Sequence, residues 1–358
     1  MVLRIARHDE EHHVIWIWIG FIAFILSMLA LDLGVFHRKA HVVSMREALK
    51  WSAVWMTLSL CFSVFVYFAY ENHWVGLGSV VDAADGHVND GKTAAVKYLT
   101  GYIVEQSLSI DNVFVIAMIL GFMKVPPIYQ HRVLFWGVLG AVVMRGAMIA
   151  LGAALISTFH WVLYLFGVFL LVTGIKMLFT KAEEIDPGAN PVLRLVHRLV
   201  PITSNFHDQR FIVRAGVTGI GPDPAVDKAP KGTLFITPLA VALILVETAD
   251  LIFAVDSIPA IFAITVDPFL VFSSNIFAIL GLRSLYFALA GMLDMFKYLK
   301  VSLSLVLILI GVKMLFAKQL KAMVGENFNI YLLATIFFIL ASGVVVSWIE
   351  DRKHAQKP

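Results

Sequence analysis

The chain has 358 residues, 59% of them hydrophobic and 15% charged, with a formal net charge of +3. That apolar share lies above the roughly 45–50% of ordinary soluble domains, and a soluble fold could not hide so much apolar surface. The one cysteine, Cys61, sits in an apolar run, which excludes an intramolecular disulfide and argues against a thiolate metal site.

A helix of about 20 residues crosses a hydrocarbon core of about 30 Å. Apolar runs of that order are predicted at about 14–35, 51–70, 96–122, 131–156, 160–179, 234–263, 271–291, 299–317 and 329–349. The expected fold is an all-α membrane protein with about nine transmembrane helices. The first run follows MVLRIARHDEEHH. It is too long for a secretory signal and lacks a small-residue cleavage site, so a retained helix is expected. HDEEHH, residues 8–13, reads as a solvated charged end rather than a metal trap. Ser44 with Glu47 three residues later fits a capping box that opens the second helix. The loop 71–95, with Asp82, Asp85 and Asp90, reads as a solvated connector.

Prolines and glycines break the 180–233 loop repeatedly. Asn190 and Pro191 signal the N-cap and first position of a short helix. Val192, Leu195, Val196 and Leu199 line one face of it and Arg194 and Arg198 another, a pattern suited to the membrane surface. RFIVRAGV and GTLFIT read as two short strands of a hairpin, and GIGPD (219–223) is too irregular for a phosphate cradle.

Two stretches of the chain repeat one another. EQSLSIDNVFVIA (105–117) and DLIFAVDSIPAIFA (250–263) each carry two carboxylates six residues apart, followed by Asn112 or Ser257. Behind each comes an intramembrane arginine, Arg145 or Arg283, and then a near-identical tail, LLVTGIKMLF (170–179) or LILIGVKMLF (307–316). The expected organisation is two helices and an outer loop in 1–95, a first three-helix repeat in 96–179 and a cytoplasmic loop in 180–233. A second three-helix repeat fills 234–317, and a final helix with a cytoplasmic tail fills 318–358. An odd number of crossings inverts the second copy and places a binding site near the midplane between the copies. Nineteen Lys and Arg fall in one set of alternate loops and seven in the other. The richer side is expected to be cytoplasmic, with the N-terminus outside and the C-terminus inside.

Six acids fall inside apolar spans: Asp32, Glu105, Asp111, Glu247, Asp250 and Asp256, offset at depth only by Arg145 and Arg283. Such a deficit cannot persist in hydrocarbon, where each charge costs at least about 2.5–3.5 kcal/mol, so protonation or a bound cation must offset it. A spacing of six puts Glu105 and Asp111, or Asp250 and Asp256, about 120° apart on a regular helix. Either the helix unwinds between them or each faces a different neighbour. Pro259 withdraws a helical partner from the Val255 carbonyl, which lies beside Asp256 and is a possible oxygen ligand. Glu247 and Asp250 share a face, and Ser107 and Ser109 accompany the carboxylates of the first copy. With Asn112 and Ser257 the set is all oxygen, which suits a hard divalent cation. Arg145 and Arg283 read as counter-ions, Lys176 and Lys313 as helix-end residues able to snorkel. Asp32, outside the repeat, ranks lower as an exit ligand or a cap.

With these residues assembled, the chain resembles the TerC/Alx family of integral membrane proteins. The matching stretches are LALDLGVFHRKAHVVSMREAL, EQSLSIDNVFV, NPVLRLVHRLVPIT, HDQRFIVR and LVETADLIFAVDSIPAIFAIT, within about residues 30–317. The resemblance implies a bacterial cytoplasmic-membrane protein, with a wider similarity to exporters of the lysine-exporter type. It also implies manganese export, with Glu105, Asp111, Glu247, Asp250 and Asp256 handling Mn²⁺. Other relatives are tied to membrane-protein insertion or to metal loading of secreted enzymes, which gives the alternative reading. No resident cofactor and no nucleic-acid partner are expected; the partners are lipid, the transported ion and coupling protons. An intramembrane aspartyl protease would need a GxGD motif, which no span contains, so enzymatic activity is not expected.

Overall fold

The computed structural model describes residues 2–31, 44–179, 191–216, 222–289, 299–325 and 327–355. Asp32 and the cap residue Asn190 lie outside the described residues. The helices are α1 (Val2–Leu31), α2 (Met45–Glu71), α3 (Gly91–Phe122), α4 (Pro127–Thr158), α5 (Val162–Phe179) and α6 (Pro191–Leu199). They continue with α7 (Pro224–Asp227), α8 (Pro238–Phe262), α9 (Pro268–Leu289), α10 (Leu299–Leu315), α11 (Ala317–Val324) and α12 (Phe328–Ala355). Four short strands, β1 (Val81–Asp82), β2 (His87–Val88), β3 (Ile212–Arg214) and β4 (Leu234–Ile236), form two antiparallel hairpins, β1 with β2 and β3 with β4.

Among the described residues, seven helices are long and apolar enough to cross a membrane: α2, α3, α4, α5, α8, α9 and the Phe328–Ser347 part of α12. The two other expected spans are shorter among the described residues. The apolar part of α1 is Trp16–Ala30, and the residues that would extend it lie in the undescribed 32–43. The helix α10 has 17 residues and begins next to the undescribed 290–298.

Local chemistry sets the helix starts. Ser44 accepts from the Glu47 amide, Asp90 from Thr93 and Thr237 from Ala240, so each caps the helix that follows. Pro127 and Pro238 occupy first-turn positions, where no amide donor is required. The expected hairpin and the short helix from Pro191 are both present. Neither α3 nor α8 unwinds between its carboxylates: Pro259 lies in the last turn of α8, where the helix is about to end.

Burial separates centre from periphery. The apolar window of α9 is 89% buried, against 22% for α2, α4 and α5. Outward residues such as Val143, Leu151, Leu165 and Val172 are large, apolar and exposed, as contact with lipid requires. An aromatic cluster of Phe21, Phe62, Tyr98, Phe269 and Phe277 locks α1, α2, α3 and α9 together.

Close approaches fix the helix directions. On α4 and α8, Gly137 meets Val246, Gly140 meets Glu247 and Gly152 meets Phe262, so the numbers rise together and the helices are parallel. On α3 and α9, Gly101 meets Ser274 and Gly281 meets Gln106, also a parallel pairing. Between α5 and α10 the sense reverses. A Cβ on Gly174 would lie 2.9 Å from the Ser304 carbonyl and 3.0 Å from the Ile308 amide nitrogen. One on Gly311 would lie 3.0 Å from the Gly167 carbonyl and 2.9 Å from the Leu171 amide nitrogen. The two helices therefore cross antiparallel, backbone against backbone, at the matching glycine of each repeated tail.

Because backbone cannot move aside as a side chain can, Gly311→Ala should destabilise by about 1–3 kcal/mol despite alanine's better helix propensity. Gly20 has nothing within 4 Å of an added Cβ, so Gly20→Ala should be neutral or stabilising by about 0.5–1 kcal/mol. Thermal unfolding of the purified full chain in detergent checks both; equal shifts would show that the α5–α10 contact is loose.

Candidate functional site

The site is organised by one side chain. Arg145, on α4, is fully buried. Its Nη2 donates to Asp250 Oδ1 at 2.9 Å and its Nε to Asp250 Oδ2 at 3.3 Å, a two-pronged pairing with α8. Nη1 pairs with Glu105 Oε1 on α3 and reaches Asn275 Oδ1 on α9 at 3.3 Å and Ser257 Oγ on α8 at 3.4 Å. One guanidinium thus joins four helices and both halves of the repeated pattern. Glu105 is 0% and Asp250 7% exposed, so this charge cluster lies inside the protein.

The remaining expected residues are distributed around it. Glu247 shares the α4-facing side of α8 with Asp250, as its spacing predicts, and packs where a Cβ on Gly140 would strike its carboxyl group. Asp111 and Asp256 are half-buried on α3 and α8, with Asp111 within electrostatic reach of Lys300. With both helices continuous, the six-residue spacing turns each of these away from its partner toward a different neighbour. Ser107 donates to the Ile103 carbonyl, and Asn112 is buried. Of the expected site residues, Glu105 Oε2, Ser109 Oγ and Glu247 Oε2 are buried without a hydrogen-bond partner. Arg283 is also buried, on α9. Among the described residues no three of His, Cys, Asp and Glu converge as a ready metal cage. Oxygens of Glu105, Asp250, Ser257 and Asn275 gather instead on Arg145.

Sequence reasoning missed Asn275, although the polar run Ser273-Ser274-Asn275 inside an apolar helix was a visible signal. It also misread the loop 71–95, which is not a solvated connector throughout. Asp82 is 4% and Lys97 1% exposed. The Asp82 carboxylate accepts from Lys97 Nζ at 2.8 Å, Asn89 Nδ2 at 3.3 Å, the Thr265 hydroxyl and the Val266 amide at 2.9 Å. The β1–β2 hairpin is therefore pinned to α3 and to the turn between α8 and α9. Asp267 in that turn accepts from the Tyr70 hydroxyl at 2.9 Å and from the Phe269 amide. Lys313 does not snorkel: it is 2% exposed and its ammonium donates to the Ala263 carbonyl at the end of α8. It borders a cavity of about 760 Å³ shared with Asp85, His87 and His160.

Burial alone would raise Asp82, but the Lys97 ammonium and the hydrogen bonds to the carboxylate outweigh it and bring its pKa down to about 2. A folded value below the unfolded value of about 3.9 stabilises the fold by about 2–3 kcal/mol at neutral pH. That contribution is complete above about pH 4 and is lost as pH falls through about 2. Asp82→Asn should therefore lower the unfolding temperature by a constant amount from about pH 8 to about pH 5, with the gap closing below about pH 4. A gap that closes near neutrality would show that another group holds the hairpin.

The chain matches the Integral membrane protein TerC family over residues 90–355. It is 43% identical over 339 residues to an uncharacterized membrane protein of Myxococcus xanthus, covering 95% of this chain and 93% of that protein. Proteins named Alx, each described as a "putative membrane-bound redox modulator", match at 42% over 342 residues in Photorhabdus laumondii and 40% over 343 in Escherichia coli K12. Each covers 95% of this chain and 97% of the relative. No solved structure matches. Family match, whole-length relatives and the acidic motifs agree: the chain belongs to the integral membrane protein TerC family.

Proposed function

We propose that this chain is a secondary transporter that exports divalent metal cations, manganese by preference, in exchange for protons. The observation that carries the reading is Arg145, a buried guanidinium held between carboxylates of the two repeated units, Glu105 and Asp250. Buried ionisable groups at this depth mark ion pathways. The guanidinium holds the position that a cation would take among Glu105, Asp250, Ser257 and Asn275. It brings one positive charge to two carboxylates, and the second charge is open to a proton. A divalent cation displacing Arg145 would match both, which links metal release to proton uptake. Glu247, Asp111 and Asp256, with Asn112 and Ser109, line the approach along α3 and α8.

The helix directions support inverted repeats. Pairing α3 with α9 and α4 with α8, each in parallel, together with the antiparallel crossing of α5 and α10, is the pattern a two-fold axis in the membrane plane would produce. On this reading 96–179 and 234–317 are the units, and the α1 segment and α10 bring the spans to nine. The 180–233 loop and the C-terminus then lie in the cytoplasm of a bacterial cell, following the loop charges. Preference for Mn²⁺ rests on the family resemblance, and oxygen ligation on the residues. A redox cycle in the chain itself has only Cys61, exposed on α2, and no second thiol with which to pair.

Flux into inside-out proteoliposomes compares Mn²⁺, Ca²⁺, Mg²⁺ and Zn²⁺ with a pH dye inside. Mn²⁺ uptake should be accompanied by alkalinisation of the lumen-facing dye as protons leave. Asp111→Asn and Asp256→Asn should each reduce that uptake at least about tenfold with protein levels maintained, because the amide keeps the volume but not the charge. Unaltered Mn²⁺ flux in both variants would remove the carboxylate pathway. Reporter fusions at Ala355 and within the 191–216 segment should both read cytoplasm; disagreement between them would remove the inverted arrangement.

A further inference from the structure

The polar run Ser273-Ser274-Asn275 of α9 divides by direction. The hydroxyls of Ser273 and Ser274 turn back on the carbonyls of Leu270 and Val271, at 3.4 and 3.1 Å. Asn275, 0% exposed, instead aims its amide oxygen at Arg145 Nη1 across 3.3 Å. Its amide nitrogen donates to the Val271 carbonyl at 2.9 Å. These two partners fix which end of the amide is oxygen. A carbonyl only accepts and a guanidinium only donates, so the flipped amide would lose both bonds. The oxygen is thus oriented from its own helix and stays aimed at the cluster whether or not the guanidinium is there.

Acceptors outnumber donors at this point. Nη1 carries two hydrogens yet faces three oxygens, Glu105 Oε1, Asn275 Oδ1 and Ser257 Oγ. The second Glu105 oxygen, Oε2, is buried with no hydrogen-bond partner. Ser257 can donate its own hydrogen elsewhere, whereas the Asn275 oxygen and the Glu105 carboxylate need a donor or a cation. A hard divalent ion meets such a surplus, because it takes oxygen ligands from several directions at once. The oxygens are of two kinds, however. Glu105 and Asp250 each bring a charge, and Asn275 brings a ligand without one. Asparagine and aspartate hardly differ in volume, so the identity of residue 275 sets the charge offered without changing the shape.

We propose that Asn275 is a selectivity-determining ligand of the transported cation: a pre-set neutral oxygen that leaves the charge of the site to Glu105 and Asp250 and so matches it to a divalent ion. The inference rests on the transport reading above. A ligand already oriented by the Val271 carbonyl needs no rearrangement when the ion arrives. A third carboxylate there would match a trivalent ion, or would demand an extra proton with each divalent one.

Calorimetric binding of Mn²⁺ and, separately, of La³⁺ to the purified full chain in detergent reads the charge count without flux. Asn275→Asp should raise the ratio of La³⁺ to Mn²⁺ affinity at least about tenfold over wild type. One oxygen of the new carboxyl group faces the Val271 carbonyl and takes a proton when no metal is bound; either ion expels it, so its cost cancels in the ratio. Adding Glu105→Gln returns the count to two carboxylates and should bring the ratio back to within about threefold of wild type. An unmoved ratio in Asn275→Asp, or no return with Glu105→Gln, would overturn the proposal. If Asn275→Asp does not fold, Asn275→Leu keeps the volume and the helix bonds and should weaken Mn²⁺ binding at least about tenfold. Unchanged Mn²⁺ binding in that variant would overturn the proposal as well. Flux measured alongside separates the two ideas. A shifted ratio without wild-type Mn²⁺ flux removes the transporter and keeps the ligand; flux with an unmoved ratio does the reverse. A wild-type chain that binds no Mn²⁺ removes both.

Discussion

The structure depends on a single charge that water cannot reach. Arg145 is 0% exposed and joins α4 to α3, α8 and α9 through five polar contacts. A buried ion pair adds little net stability, since desolvation offsets much of the attraction, but breaking one costs about 3–5 kcal/mol. Its role is therefore to specify an arrangement. It dictates which faces of four helices meet, and any rearrangement of the bundle must give the guanidinium, or its carboxylates, something else to hold.

The packing around that centre leaves the neighbouring helices little freedom except as units. Glycines at 137, 140 and 152 bring α4 onto α8, and small residues at such crossings let dispersion act over the greatest contact area in a membrane. The α5–α10 crossing is tighter still, backbone on backbone. At one end the hairpin pinned by Asp82 and Lys97 ties α3 to the α8–α9 turn. At the other, Phe206 and Phe211 from the folded loop pack beside α3, α4, α8 and α9, with the Arg132 guanidinium 5.0 Å over the Phe211 ring.

Much of this was legible in the sequence, because helices in lipid satisfy their own backbones and announce themselves by length and apolarity. Ser44 named its helix start, and RFIVRAGV and GTLFIT named their hairpin. The two arginines and the repeated acids were visible as anomalies. What sequence could not reveal was which anomalies touch. Arg145 and Asp250 are 105 residues apart and Asp82 and Thr265 are 183; neither contact has a local signature. Lys313 read as a snorkelling residue because it lies near a helix end, yet that end is covered by neighbouring elements. Pro259 read as a break because its position relative to the end of α8 was misjudged.

The α5–α10 contact bears on why the two tails read alike. The Gly174 contact uses Ser304 and Ile308, the Gly311 contact uses Gly167 and Leu171, and these sets correspond position by position in the two tails. The surface is thus complementary to itself, the hallmark of an isologous interface between identical subunits. One face serves as both sides of the contact, and the shape that fits either tail fits the other. A bulky side chain at Gly174 or Gly311 would strike backbone of the opposite helix at the corresponding place. The likeness of LLVTGIKMLF and LILIGVKMLF is what that shared steric demand requires.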